Sequence, residues 1–86
     1  MGDLSQFSWR VIDDIQKLIA DKGMTDAQVI ALSHIPRNTF YRKMRGETPF
    51  NLNDVDAIAG ALGVDPFALL THSARAVDSP APEVQQ

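Results

Sequence analysis

The stretch Asp26 to Gly46, DAQVIALSHIPRNTFYRKMRG, restricts the fold of this chain more than any other segment. Two short apolar-periodic runs flank His34-Ile35-Pro36. Proline disfavours helix at the residue before it and is tolerated at the first position of the next helix. The segment therefore reads as two short helices joined by a tight turn. The second run carries Arg37, Arg42, Lys43 and Arg45, half of the eight basic residues in the chain. No acid occurs from Ala27 to Gly46. Lys22 to Gly46 holds five bases and one acid, a charge of +4; the whole chain is −3, so the remainder is −7. A chain that is acidic elsewhere and basic on one helix points to a polyanion partner at that helix.

The helix expected from about Pro36 to Arg45 divides into two faces when its residues are placed at ~100° steps. Pro36, Phe40 and Met44 share one side and should face the core. Asn38, Tyr41, Arg42 and Arg45 fall within about 100° of one another on the other side, with Arg37 at the edge of that arc on the first turn.

The other elements follow from caps and periodicity. Residues 1–4 are expected to be loose. Helix 1 should run from Ser5 or Gln6 to about Lys22, with Phe7, Val11, Ile15, Leu18 and Ile19 as its apolar stripe, widened by Trp9 and Ile12. Gly23 supplies its stop. Helix 2, about 25–33, opens on Thr25 as N-cap with Asp26 in the first turn, where an acid suits the helix dipole. Val29, Ile30 and Leu32 form its apolar side. Gly46 ends the cationic helix, and Pro49 keeps residues 47–51 a loop. Asn51 or Asn53 caps helix 4, which carries Leu52, Val55, Ile58, Ala59 and Leu62 and stops at Gly63. Asp65-Pro66 opens a short helix 5 containing Phe67, Leu69 and Leu70. The expected core is Phe7, Val11, Ile15, Leu18, Val29, Ile35, Phe40, Met44, Leu52, Val55, Ile58, Leu62, Phe67 and Leu70. The folded domain is expected over 5–72. Residues 73–86, with two prolines, small residues and no apolar period, read as a disordered tail. No strand pattern and no internal repeat occurs.

Eighty-six residues suffice for one small domain. With no cysteine, disulfides and Cys-based zinc sites are excluded. The longest apolar runs fall far short of the ~20 residues that span a bilayer. No secretory signal is visible at the start, and Gln6 stands where a myristoylation motif wants Ser or Thr. The net charge argues against a general nucleic-acid coat but leaves room for site-specific binding by one face.

Several residue groups have plainer readings. His34 and His72 are isolated from other ligand types at metal spacing and read as structural or exposed, so neither a metal nor a cofactor is expected. Asp13-Asp14, with Asp54 and Asp56, reads as solubilising rather than as an acid–base pair, because adjacent helical residues do not face each other. Ser33, His34 and Asp26 lie on one short helix and its turn, with no oxyanion-hole motif, and do not make a triad. Phe40 and Tyr41 are adjacent and cannot both be core; Phe40 is the buried one. Trp9 reads as a half-buried packing residue. An enzyme with a small-molecule substrate is not expected.

The succession of helix, short helix, turn, cationic helix, proline loop, helix and short helix resembles the lambda-repressor-like (Cro/XRE-type) helix-turn-helix family. The matching residues run from Gly23 to Leu70. They include Gly23-Met24-Thr25, Val29 at the usual Leu position and Ile35 at the usual Val of the turn. Arg37, Thr39, Phe40, Arg42, Arg45 and Gly46 follow the recognition-helix pattern, and Pro49 and Leu52 follow the loop pattern. Val55, Ile58, Ala59, Leu62, Gly63 and Val64 resemble the closing segment. This sequence departs from the family at Asp26, where a phosphate-binding Gln is frequent, and at His34, where the turn usually has Gly. Pro36 replaces the usual Ser or Thr cap. Lys43 takes a commonly apolar position and Met44 a commonly acidic one.

The resemblance implies an all-α, compact five-helix domain whose cationic helix lies in the major groove of double-stranded DNA. It implies base reading by Arg37, Asn38, Tyr41 and Arg42. It implies backbone contacts from Thr25, Gln28, Thr39, Lys43, Arg45, Thr48 and Asn51. Arg can donate twice to guanine O6 and N7, and Asn can pair with adenine N6 and N7. The function implied is a sequence-specific regulator, a phage- or bacterial-type repressor acting by operator occupancy in the cytoplasm, with a weak homodimer as the expected assembly and a monomer on an asymmetric site as its alternative. The alternative is a protein-interaction module, such as an antitoxin or a regulatory subunit, that reuses the fold.

Overall fold

The computed structural model describes residues 4–78, with side chains through residue 75. Five helices follow in order: α1 (Gln6–Asp21), α2 (Asp26–Ser33), α3 (Arg37–Met44), α4 (Leu52–Leu62) and α5 (Pro66–Asp78). Among the described residues no strand occurs. The architecture is all-α, as expected. α1 packs along α5, α2 against α4, and α4 against α5.

Local chemistry sets most helix ends. Ser5 caps α1 by accepting from Ser8 N at 3.1 Å. α2 and α4 open on reciprocal capping boxes. Thr25 Oγ1 accepts from Gln28 N at 3.2 Å, while Gln28 Oε1 accepts from Thr25 N at 2.9 Å. Asn51 Oδ1 accepts from Asp54 N at 2.8 Å, while Asp54 Oδ2 accepts from Asn51 N at 3.1 Å. At α5, Asp65 Oδ1 accepts from Phe67 N at 3.2 Å. α3 starts one residue later than expected, since Pro36 is its N-cap residue and supplies no side-chain bond.

The core gathers Val11, Ile15, Ile19, Val29, Ile35, Phe40, Val55, Ile58, Leu62 and Leu69, with Ile12 and Ala59 also buried. Leu18, Met44 and Leu70 are half-buried against it. Three expected core residues are not buried: Phe7, Leu52 and Phe67 are 38%, 73% and 76% exposed. Each lies at the first or second position of its helix. Side chains tilt toward the helix N-terminus, so a first-turn residue projects past the end of its element. Leu32 is likewise exposed, and α2 buries Val29 and Ser33 instead.

α5 corrects the expected boundary at residue 72. The helix continues through Asp78, and Ser73, assigned to a tail from sequence, is fully buried. Its hydroxyl donates to Asp14 Oδ2 at 2.7 Å, joining residues 59 positions apart. Asp14 therefore does not belong with solvated surface acids. It is buried, with Arg10 Nε at 3.6 Å and His72 Nε2 at 3.9 Å from Oδ1. Arg10 Nε lies close by without a hydrogen-bond partner. The rest of the expected tail, 79–86, and residues 1–3 lie outside the described residues.

Of the four described positions with positive φ, Gly46 and His34 adopt it for different reasons. Gly46 (φ +83°) closes α3, with its N–H donating to Lys43 O and Glu47 N donating to Arg42 O, both at 3.0 Å. A Cβ at Gly46 would collide with the indole carbons Cη2, Cζ2 and Cζ3 of Trp9, so that ring covers a site only glycine can occupy. His34 (φ +64°) is the C-cap of α2, a left-handed conformation that costs a residue with a Cβ about 1–2 kcal/mol.

His34→Gly should therefore stabilise the domain by about 0.5–1 kcal/mol, part of the relief being offset by glycine's greater freedom in the unfolded chain. Urea unfolding would register the gain as a raised midpoint; a lowered midpoint would mean the imidazole supplies a contact of greater value. Ser73→Ala should cost about 1–3 kcal/mol by leaving the buried Asp14 carboxylate short of a donor. A loss of only a few tenths in the same assay would remove that bond from the account of why α5 docks on α1.

Candidate nucleic-acid interface

α3 is eight residues long and could not persist alone in water. Phe40 fixes it: the ring is 0% exposed, edge-on to Tyr41 at 5.6 Å and to Phe50 at 6.4 Å between centroids. With Phe40 inward, Asn38 and Arg42 are exposed on the opposite side, and Arg37 is exposed at the edge of that arc on the first turn. Tyr41 is half-buried, packed against the core on one side. The Arg37 guanidinium lies 5.9 Å from its ring centroid, a cation–π arrangement that restrains the arginine at the start of the helix. The four expected base-reading residues thus share one side of α3.

The expected backbone-contact residues have varied surroundings. Thr25 and Gln28 are exposed, but their acceptor oxygens are occupied by the capping box, which leaves the Gln28 amide N–H groups as donors. Asn51 is exposed and spends Oδ1 on its own cap. Thr48 is exposed in the loop, and Thr39 is half-buried.

Lys43 points away from the arc. Its ammonium is bound to Asp54 Oδ2, with the two side chains only 13% and 14% exposed. The same carboxylate oxygen closes the α4 capping box, so Asp54 joins the end of α3 to the start of α4. This geometry absorbs the departure at Lys43: the aliphatic stem fills a commonly apolar position and the charge is neutralised at its tip. Asp54, grouped from sequence with solubilising acids, is a structural partner.

Arg42 and Arg45 converge on an acid that the sequence reading did not single out. Arg42 Nε donates to Glu47 Oε1 at 3.0 Å. Arg45 Nε donates to Glu47 Oε2 at 2.9 Å, and Arg45 Nη2 lies 2.9 Å from the same oxygen. Hydrogen bonding from Arg45, then from Arg42, holds the Glu47 carboxyl below the usual carboxylate range. A lowered native pKa gives a contribution present above the ordinary carboxylate pKa and lost as pH falls through the lowered value. Glu47 is therefore charged across the neutral range. The spacing signal was available, since Glu47 lies five residues after Arg42 and two after Arg45 across the Gly46 turn.

Two short helices about a tight turn, the second buried by one aromatic residue and carrying cations and an amide opposite, define a helix-turn-helix DNA-binding domain. A family model described as a Cro/C1-type HTH DNA-binding domain matches residues 14–74, and the chain belongs to that family. Comparison with curated proteins and with solved structures gives no significant match. No helix among the described residues is long and apolar enough to cross a membrane.

Lys43→Met keeps the stem and removes the charge, leaving Asp54 without its cation. The expected cost is about 1–3 kcal/mol, between the ~0–1 of exposed pairs and the ~3–5 of fully buried ones. Urea unfolding measures it. The dependence of DNA binding on salt should stay as in the parent chain, and a salt slope lower by a full unit would return Lys43 to the phosphate contacts.

Proposed function

We propose that this chain is a sequence-specific regulator of transcription that acts as a repressor, with α3 in the major groove and promoter access blocked by occupancy. The observation that carries the reading is the polar face of α3, where Asn38 and Arg42 stand opposite the buried Phe40 with Arg37 and the edge of Tyr41 flanking them. Arg37, Asn38, Tyr41 and Arg42 read bases on this view. Arg45, Thr48, Asn51 and the donors of Thr25 and Gln28 hold phosphates, with Thr39 a lesser contributor because it is half-buried. Lys43 is left out of the phosphate set, since its charge is already matched by Asp54.

We further propose weak self-association on DNA. Phe7, Phe50, Leu52 and Leu70 line a shallow groove, and Leu52 is largely exposed beside it. An apolar strip of this kind suits a small contact between two copies on adjacent half-sites about one helical turn apart, ~34–36 Å.

Selection of preferred sites from random duplex DNA tests the whole reading. A recovered two-fold symmetric site supports the dimer, and an asymmetric single half-site bound by one chain removes it. On the selected site, Arg42→Ala should cost ~1–3 kcal/mol, and much less on unrelated duplex. Equal losses on both would move Arg42 to the phosphate-holding group.

A further inference from the structure

We propose that Glu47 is a positioning residue for Arg42, holding its guanidinium by one edge so that the two-donor end stays free to read a base. The inference rests on the assignment of Arg42 as a base reader and adds to it a residue outside α3.

An arginine recognises guanine through two parallel donors, most directly its paired terminal nitrogens. Glu47 engages Arg42 only through Nε, at 3.0 Å, and both Nη groups have no hydrogen-bond partner among the described residues. Arg45 is treated differently by the same carboxylate, which takes both Nε and Nη2 on one oxygen. One acid thus leaves the end-on fork of Arg42 available and occupies the side-on edge of Arg45.

The backbone fixes this geometry as well. Glu47 N donates to Arg42 O at 3.0 Å, so the residue that holds the side chain is tied to the main chain of the residue it holds. Between them Gly46 takes φ +83° beneath the Trp9 ring, which limits where Glu47 can sit. Stability is a poor explanation for the pair, because Arg42 and Glu47 are 59% and 44% exposed and exposed pairs add little. General affinity for DNA is a poorer one, since a carboxylate on this face opposes phosphate. Fixing a long side chain in advance is what remains, and it lowers the ordering cost of the contact.

The test measures Glu47→Ala and Glu47→Gln, alone and combined with Arg42→Ala, on the selected duplex and on unrelated duplex. Glu47→Ala should tighten unrelated binding a few-fold by removing a negative charge. It should lower the ratio of specific to unrelated affinity by roughly 3- to 10-fold, a part of what one bidentate contact supplies. The relaxed base-pair position should be the one that Arg42→Ala relaxes. Glu47→Gln, which keeps an acceptor oxygen for Nε, should retain more of the ratio than Glu47→Ala. In the Arg42→Ala background the ratio should no longer respond to Glu47. Thermal melting of each variant close to the parent would confirm an intact fold. An unchanged ratio in Glu47→Ala overturns the proposal while leaving Arg42 a base reader. A Glu47 effect that persists without Arg42 overturns it too, since Glu47 would then act on DNA directly. If the parent chain selects no duplex, the DNA-reading assignment fails first and takes this inference with it.

Discussion

The burial of Phe40 is the interaction on which the arrangement depends. An eight-residue helix has too few internal hydrogen bonds to offset its nucleation cost, so α3 exists because its fourth residue is wholly inside the core. The ring alone would leave α3 free to roll. Rotation is fixed by a second contact one turn away, where Asp54 holds Lys43 and caps α4 with the same carboxylate oxygen. Anything that loosens this junction tilts the face that Arg37, Asn38, Tyr41 and Arg42 present. The two contacts together turn a sequence with little local helix stability into a rigid presenting element.

Much of this was legible because it is local. Thr25 with Gln28, and Asn51 with Asp54, are three apart, and capping chemistry works at that spacing. Pro36 and Gly46 mark the ends of α3 through backbone restrictions that any context must respect. Phe40, the one large side chain without a polar group between Arg37 and Lys43, announces the inward side of its helix. These features gave the five elements and the shared exposed side of α3 without knowledge of any long-range contact.

What was hidden depends on partners far along the chain. Asp14 looked like one of two adjacent surface acids until Ser73, 59 residues away, proved to be its donor. That bond also explains why a small-residue stretch with no apolar period stays helical: α5 is held past residue 72 by a polar contact, and hydrophobic patterning cannot report one. Phe7, Leu52 and Phe67 satisfied the period yet project beyond their helix ends, where neighbours cover Phe7 only in part and leave Leu52 and Phe67 largely exposed. Lys43 was half-legible. At ~100° per residue it falls about 60° from Phe40 and 100° from Arg42, nearer the core side than the arc. Its charge argued for solvent more strongly than its angle argued for burial, and only Asp54 reconciles the two.

These partners change what the charge pattern means. From sequence the acids of this chain balance a basic helix by surrounding it. In the structure three of them hold side chains outside their own element: Asp14 fastens α5 to α1, Asp54 fastens α3 to α4, and Glu47 sits among the cations themselves. The basic helix is correspondingly less basic as a surface than as a string of letters. Lys43 is neutralised, and Glu47 sets one charge against Arg42 and Arg45. Arg37 leans on the ring of Tyr41. A face so constituted attracts phosphate weakly for its arginine count and holds those arginines in definite places. Attraction between unpaired charges decays over a Debye length and does not distinguish one base from another, whereas a donor pair held at a fixed angle does. On the proposed reading, the protein's own carboxylates thus shift this face from gripping a polyanion toward discriminating along it.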